Sequence, residues 1–462
     1  MAAILSVKNL SFQYPSYQGL ESSPLFNGLS FDLEKGSLNL FLALPGAGKT
    51  TLSRILTGLV PAYTGGQLSG TIEKQGQTGI VFQNPDEQLF CSTAEKEVVF
   101  PLEAAGLPRE EIGRRTDDAF QKTGIEYLRF KKPIHLSGGE KRRLLISVLC
   151  ATAPDLWILD ETLEEIDIRG REEILAFLKA SGKTILILTA KMLDVYKKYA
   201  DTFFVYTGGS LREFPAGSGP DFARAVKEGG FCLDAPLPDE EALRALEAKS
   251  FENPILEVEG LRFVYPDDDS DFALNVEHFA LAQGKTTAVI GTNGCGKSTL
   301  SHIIAGLLKP AAGEVRLGGE AASAERLNRS CSYLFQNPDY QLFLPTARAE
   351  LEYGLRLQKL DGDLIKQKVQ EAIEVFGIEH PDAPPVLMSY GQRKKLQAAI
   401  YWLLEKKIVI IDEADSGISS KEYREIVEAF KKSPADPAIL IITHDIQLAA
   451  LVADNIYRMG AL

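Results

Sequence analysis

Residues 291–299 read GTNGCGKST, a glycine-rich turn closed by a lysine and two hydroxyl residues. This spacing suits the binding of nucleotide phosphates. Gly291, Gly294 and Gly296, with Asn293 between them, let successive backbone N–H groups turn toward phosphate oxygens. Lys297 reaches the β- and γ-phosphates, and Ser298, followed by Thr299, offers a hydroxyl to Mg²⁺. A second such loop, ALPGAGKTT at 43–51, keeps Gly46, Gly48, Lys49, Thr50 and Thr51 but carries Ala43 at the position of the first glycine. Binding there is expected to lose some fit, because alanine adopts a positive φ only at a cost.

Downstream of each loop an apolar run ends in two carboxylates, LWILDE at 156–161 and IVIIDE at 408–413. Asp160 and Asp412 are placed to hold Mg²⁺ through water, and Glu161 and Glu413 to polarise an attacking water. A strand ending in Asp-Glu is equally a solvated strand end. Its recurrence downstream of each phosphate loop favours the chemical reading.

These motifs belong to a chain written twice. FQYP at 12–15 returns as FVYP at 263–266, FQNPDEQLF at 82–90 as FQNPDYQLF at 335–343, and LSGGEKRRL at 136–144 as MSYGQRKKL at 388–396. The order is kept at a domain-sized period, so this is a duplication and not a solenoid. The predicted domains are 1–215 and 254–462, joined by an acidic Pro- and Gly-containing linker, 216–253, whose best helix is DEEALRALEA. Within each half, apolar strand-like runs alternate with helical patterns, which predicts an α/β fold: a mostly parallel sheet flanked by helices, with ligands at the carboxyl ends of the strands. Between Gln83 and Ser137 the pattern is mostly helical, so a helical subdomain is expected to insert there.

Phosphate loop, glutamine loop, LSGGE, DE and TH, in that order, resemble the ABC ATPase family, and the match covers nearly the whole chain. The resemblance implies two P-loop NTPase domains in tandem, each with an antiparallel β part and the inserted helical subdomain. ATP and Mg²⁺ are the implied cofactors. Gln83 and Gln336 would contact Mg²⁺, and Tyr14 and Tyr265 would stack on adenine, although on their own these tyrosines read as edge-strand aromatics. The two domains would pair head to tail, each ATP lying between one phosphate loop and the other half's signature residues. The extended glutamine loop further resembles energy-coupling-factor transporter ATPases, which take up vitamins and metal ions. Their partners are a polytopic membrane coupling protein, whose helices carry arginines into the groove beside that loop, and a solute-binding membrane subunit. Asp86, Glu87 and Asp339 would supply the complementary charge; as plain residues they are also solvated loop acids.

The implied pairing makes the two sites unequal. One combines Lys297, Ser298, Gln336, Asp412, Glu413 and His444 with Ser137, Gly138, Gly139 and Glu140. The other combines Lys49, Thr50, Gln83, Asp160 and Glu161 with Ser389, Tyr390, Gly391 and Gln392, and has Ala190 where the first has His444. The loops after the carboxylates also differ, ending on Asp167 and Ser419. Glu413 and His444 are therefore expected to carry hydrolysis, with Glu161 leaving slow turnover at a site that acts mainly as a clamp.

Bulk properties narrow the partners. A formal charge of -13 and a pI near 5.1 fit a nucleic-acid surface poorly, and five scattered cysteines suit neither a disulfide framework nor a zinc site. The longest uncharged apolar stretch, 144–154, is far short of the roughly 20 residues that span a bilayer. The expectation is a peripheral protein on the cytoplasmic face of the cell membrane, driving an importer. The alternative is a soluble tandem ABC ATPase of translation or DNA repair, for which a basic insertion or zinc-type cysteines would be expected.

Overall fold

The structure, a computed structural model, describes residues 3–16, 24–163, 166, 168–191, 194–229, 231, 240–247, 251, 253–265, 273–292, 294–412, 418, 420–443 and 445–460. Asn293, Glu413, His444, Asp167 and Ser419 lie outside the described residues. The chain divides into two compact units, 1–234 and 235–462.

In the first unit the central sheet runs Thr78–Val81, Leu156–Asp160, Thr184–Thr189, Leu38–Ala43, Thr202–Thr207, Ser210–Pro215. All neighbours are parallel except the last pair. The inner strands are buried on every residue, which is why LNLFLA and TILILT read as continuous apolar runs instead of alternating ones. An antiparallel sheet, Phe26–Glu34, Ala3–Gln13, Gln67–Lys74, accompanies it. Here Phe26–Glu34 alternates between buried and exposed positions, as a sheet with one wet face must. The second unit repeats the plan with Cys331–Leu334, Ile408–Asp412, Ala438–Ile442, Thr286–Gly291 and Asn455–Met459, all parallel, and its own antiparallel sheet.

The predicted helical insertions are present. Helices Ala94–Ala104, Arg109–Thr123 and Gly138–Thr152 close on a core that includes Val98, Leu102, Phe120 and Leu144. Ala347–Leu357, Gly362–Phe376 and Tyr390–Leu403 are their counterparts.

The segment 216–253 is not a free tether in its helical parts. Helix Gly219–Glu228 buries Phe222, Ala225 and Val226 in the first core, with the Phe222 ring 4.6 Å from Phe203 and 5.6 Å from Phe214. Helix Glu240–Glu247 sends Leu243 into the second core, and its Glu247 pairs with Arg458 on the edge strand Asn455–Met459. The segment is polar enough to resemble a linker, yet each helix carries an apolar stripe that a core can bury.

Candidate functional site

Each phosphate loop joins a buried strand to a helix, Leu38–Ala43 to Lys49–Thr57 and Thr286–Gly291 to Lys297–Ile304. The turns are made by Gly46 and Gly48 at φ 80° and 90°, and by Gly294 and Gly296 at φ 80° and 101°. Those angles and the helix N-terminus behind them aim backbone donors outward. Ala43 needs correcting here. Neither Ala43 nor Gly291 adopts a positive φ, because both close extended strands. Close approach, and not φ, makes glycine necessary at 291: a methyl there would lie 2.1 Å from the Met459 carbonyl oxygen. In the first unit Ala43 sits opposite Tyr206 in the equivalent register, fully buried, so the loop accepts it without backbone strain.

The two lysines confirm that the loops are alike. Lys49 Nζ donates to the carbonyls of Ala43 (2.9 Å) and Leu44 (3.1 Å), and Lys297 Nζ to those of Gly291 (2.9 Å) and Thr292 (3.1 Å). Tyr14 and Tyr265 also reach their own loops, with hydroxyls 3.0 Å from Thr51 Oγ1 and 3.1 Å from Thr299 Oγ1. Each of these rings stands edge-on to a phenylalanine, Phe12 and Phe263. A cleft of about 510 Å³ opens beside the first loop, lined in part by Leu25, Leu44, Gly46, Ala47, Tyr206 and Glu228.

The carboxylates come from the strand beside the loop-bearing helix. Lys49 Nζ lies 2.9 Å from Glu161 Oε1, with both side chains buried, and Gln83 Nε2 donates to Glu161 Oε2 at 2.7 Å. Glu161 takes a left-handed backbone, φ 49°, that turns it into this cluster. Asp160 Oδ2 accepts from Ser53 Oγ at 3.0 Å, while its Oδ1 is buried without a hydrogen bond. Burial pushes the Asp160 carboxyl up, against the pull of the neighbouring Thr50 and Ser53 hydroxyls. In the second unit Asp412 accepts from Ser298 Oγ at 3.2 Å and Tyr333 OH at 2.5 Å. Burial raises it too, with Tyr333, His302, Ser298 and Lys297 pulling it down.

The signature residues stand elsewhere in each unit. Ser137 and Glu140 form a capping box on helix Gly138–Thr152, whose second residue is Gly139; Ser389 and Gln392 do the same on Tyr390–Leu403, whose second residue is Gly391. The Tyr390 hydroxyl donates to the Gln336 carbonyl at 2.9 Å, so its ring folds back onto the glutamine loop of its own unit. The loop acids are engaged as well: Asp86 with Lys141 at 2.7 Å, Asp339 with Arg393 at 2.9 Å, Glu87 with Arg54 at 3.5 Å. Instead of waiting as uncommitted charges for a partner, Asp86 and Asp339 tie the glutamine loop to the signature helix. Ala190 follows the buried strand Thr184–Thr189 and is partly exposed.

Sequence reasoning passed over several residues. Gln88 binds the strand before it at both ends of its amide, accepting from Phe82 N (2.7 Å) and donating to the Ile80 carbonyl (3.0 Å). Gln341 repeats this with Phe335 N and the Tyr333 carbonyl. Buried Glu97 and Glu350 hold the backbone of Cys91 and Leu344 at 2.5 Å, bracing the loop under Phe90 and Phe343. All four are identical in both copies, which was the available signal. Tyr333 corresponds to Ile80 in the other copy, so repetition gave no signal there.

Two stretches, 26–164 and 274–416, match the ABC transporter family model and together span more than half of the chain. The "Putative HMP/thiamine import ATP-binding protein YkoD" of Bacillus subtilis is 29% identical over 499 residues, covering 98% of this chain and 89% of the relative. A "Putative ABC transporter ATP-binding protein" of Methanosarcina acetivorans is 29% identical over 521 residues, covering 98% and 84%. A solved structure of cbiO1 from Clostridium perfringens, described as part of the ABC transporter complex cbiONQ, is 32% identical over 45% of this chain and 86% of that one, with a TM-score of 0.42. Two phosphate loops with their carboxylate strands, two helical insertions and two family matches lead to one conclusion: the chain belongs to the ABC transporter family, as a tandem ATP-binding protein whose ATPase activity is coupled to transport.

Proposed function

We propose that this chain, from the cytoplasmic face of the membrane, energises an importer of the energy-coupling-factor type that takes up a vitamin or a transition metal. The observation that carries the reading is a duplicated apolar surface beside the extended glutamine loop. Phe90 and Phe343 are 70% and 69% exposed, and each stands edge-on to a second exposed aromatic, Phe100 at 5.1 Å and Tyr353 at 5.5 Å. Exposed aromatic pairs with a braced backbone suit the docking of a partner's helix, since exposed apolar patches mark interaction sites and aromatic residues are enriched in them. No described helix is long and apolar enough to cross a membrane, so the partner supplies the membrane part. Arginines of that partner would exchange with Lys141 and Arg393 at Asp86 and Asp339, so docking would loosen the tie between glutamine loop and signature helix. The relative named for HMP/thiamine import supports a vitamin-related solute.

At the chemical centre, Mg²⁺ fits the donors present: the buried Asp160 carboxylate, whose Oδ1 accepts no hydrogen bond, with the neighbouring Thr50 hydroxyl, and the Asp412–Ser298 pair. Bound there with ATP, the ion would neutralise charge developing on the phosphates. Lys49 and Lys297 would move from loop carbonyls to phosphate oxygens. The domains would pair head to tail, with Glu413 and His444 completing a hydrolytic site and Ala190 and Tyr390 marking a degenerate one. Tagging the chain at its native level, extracting it in mild detergent and identifying what co-purifies tests the reading. A polytopic membrane protein with a small solute-binding membrane protein is expected; ribosomes or DNA-bound proteins without either would overturn it.

A further inference from the structure

We propose that Tyr333 is a positioning residue for Asp412, orienting the carboxylate that holds the metal in the second domain, a task that Ser53 performs directly on Asp160 in the first. This rests on the placement of Mg²⁺ at Asp412 given above.

The two domains solve one geometric problem differently. Ser53 and Ser301 occupy the same place on the helix after the phosphate loop, and each donates to the carbonyl three residues back, Thr50 O and Ser298 O, both at 2.8 Å. In the first domain the serine also reaches the carboxylate, at 3.0 Å from Asp160 Oδ2. In the second a phenol stands between them: Tyr333 OH is 2.8 Å from Ser301 Oγ and 2.5 Å from Asp412 Oδ2. Tyr333 comes from strand Cys331–Leu334, paired in parallel with Ile408–Asp412 at the register Tyr333↔Ile410. The same position in the first domain holds Ile80, which has no hydroxyl to offer.

The consequence lies in how the carboxylate is held. Asp412 has both oxygens bound, Oδ1 by Ser298 and Oδ2 by Tyr333, so its plane is set from two sides. Asp160 is held at Oδ2 by Ser53; the Thr50 hydroxyl is a neighbour, but Oδ1 accepts no hydrogen bond. A carboxylate oriented by an outer hydrogen bond presents its free lone pairs in one direction, and removing such a partner typically costs about 10- to 100-fold in metal affinity. The Tyr333 ring is packed separately, 4.6 Å from Phe335 and 5.3 Å from His302, so deleting the hydroxyl alone leaves the packing in place.

The test uses the full chain, a non-hydrolysable ATP analogue and Mn²⁺ as the probe, with bound Mn²⁺ counted by electron paramagnetic resonance. Tyr333→Phe should weaken Mn²⁺ about tenfold or more at one of the two sites. The other site, and nucleotide binding in EDTA, should stay as in the unaltered chain. Unchanged Mn²⁺ affinity, equal weakening at both sites, or a parallel loss of nucleotide binding in EDTA would overturn the proposal. Failure of the unaltered chain to bind Mn²⁺ with nucleotide would instead remove the metal placement beneath it, and the proposal with it.

Discussion

Replacing Glu161 by glutamine should tighten ATP binding at the first phosphate loop. Without nucleotide, the Glu161 carboxylate is the counterion of Lys49 at 2.9 Å, in a place where both side chains are nearly inaccessible. Bound phosphate needs that lysine, so this contact must be given up. A hydrogen bond to an ionised partner is worth about 1.5–3 kcal/mol and one between neutral groups about 0.5–1.5 kcal/mol. The amide oxygen remains as a neutral acceptor, and Gln83 can present its own oxygen by rotating its amide. The difference, about 1–1.5 kcal/mol, converts to a five- to tenfold lower Kd, since about 1.4 kcal/mol is a factor of ten. Removing a negative charge beside the γ-phosphate acts in the same direction. The assay is titration with a fluorescent ATP analogue in EDTA, in a Lys297→Ala background that silences the second loop. Unchanged or weaker affinity would show that Glu161 does not restrain Lys49, and the account of the nucleotide-free site would fail.

Glu413→Gln is expected to lower steady-state ATPase by about 10²- to 10⁴-fold, while Glu161→Gln leaves a substantial fraction; equal losses in a phosphate-release assay would sink the unequal-site model. Phe222→Ala should destabilise the first unit by about 3–5 kcal/mol, because the ring is buried against Phe203 and Phe214. If residues 219–228 were a solvated tether, the shift in unfolding midpoint would be that of a surface change, within about 0.5 kcal/mol. Burial pushes the thiols of Cys150 and Cys331 up to about 12, so at pH 8 about one in 10⁴ is ionised. Brief iodoacetamide treatment of the folded chain should leave both unmodified by mass spectrometry, and prompt labelling of either would contradict the packing around it.

What the sequence made legible follows from what repetition can encode. Phosphate loops and carboxylate strands were readable because glycine spacing and apolar runs each have a local physical cause; the Ser-x-x-Glu/Gln caps of the signature helices are equally local and went unread. Contacts between distant segments left no such mark. Ala43 looked costly because the pattern suggests a φ requirement, whereas the constraint at that position is set by a neighbouring strand more than 160 residues away in sequence, at Tyr206 or Met459. Asp86 and Asp339 looked uncommitted because their partners, Lys141 and Arg393, lie 55 and 54 residues downstream. The two helices of 216–253 looked like part of a linker because their few apolar residues only gain meaning against a core.

Duplication lets divergence be read as a change of work. Where both copies agree in a buried polar contact, as with Gln88 and Gln341 or Glu97 and Glu350, the contact serves something each domain does alone: bracing the glutamine loop and the aromatic pair beside it. Three of the differences fall on groups that the proposed function sets around the phosphates. Ile80 against Tyr333 changes how the aspartate is held, Gly138 against Tyr390 changes what the signature turn touches, and Ala190 against His444 removes an imidazole from one copy. An aromatic pair and its buried glutamate kept in both copies, beside signature and aspartate surroundings that differ, is the pattern expected if, as proposed, both domains grip a membrane partner and only one turns over rapidly.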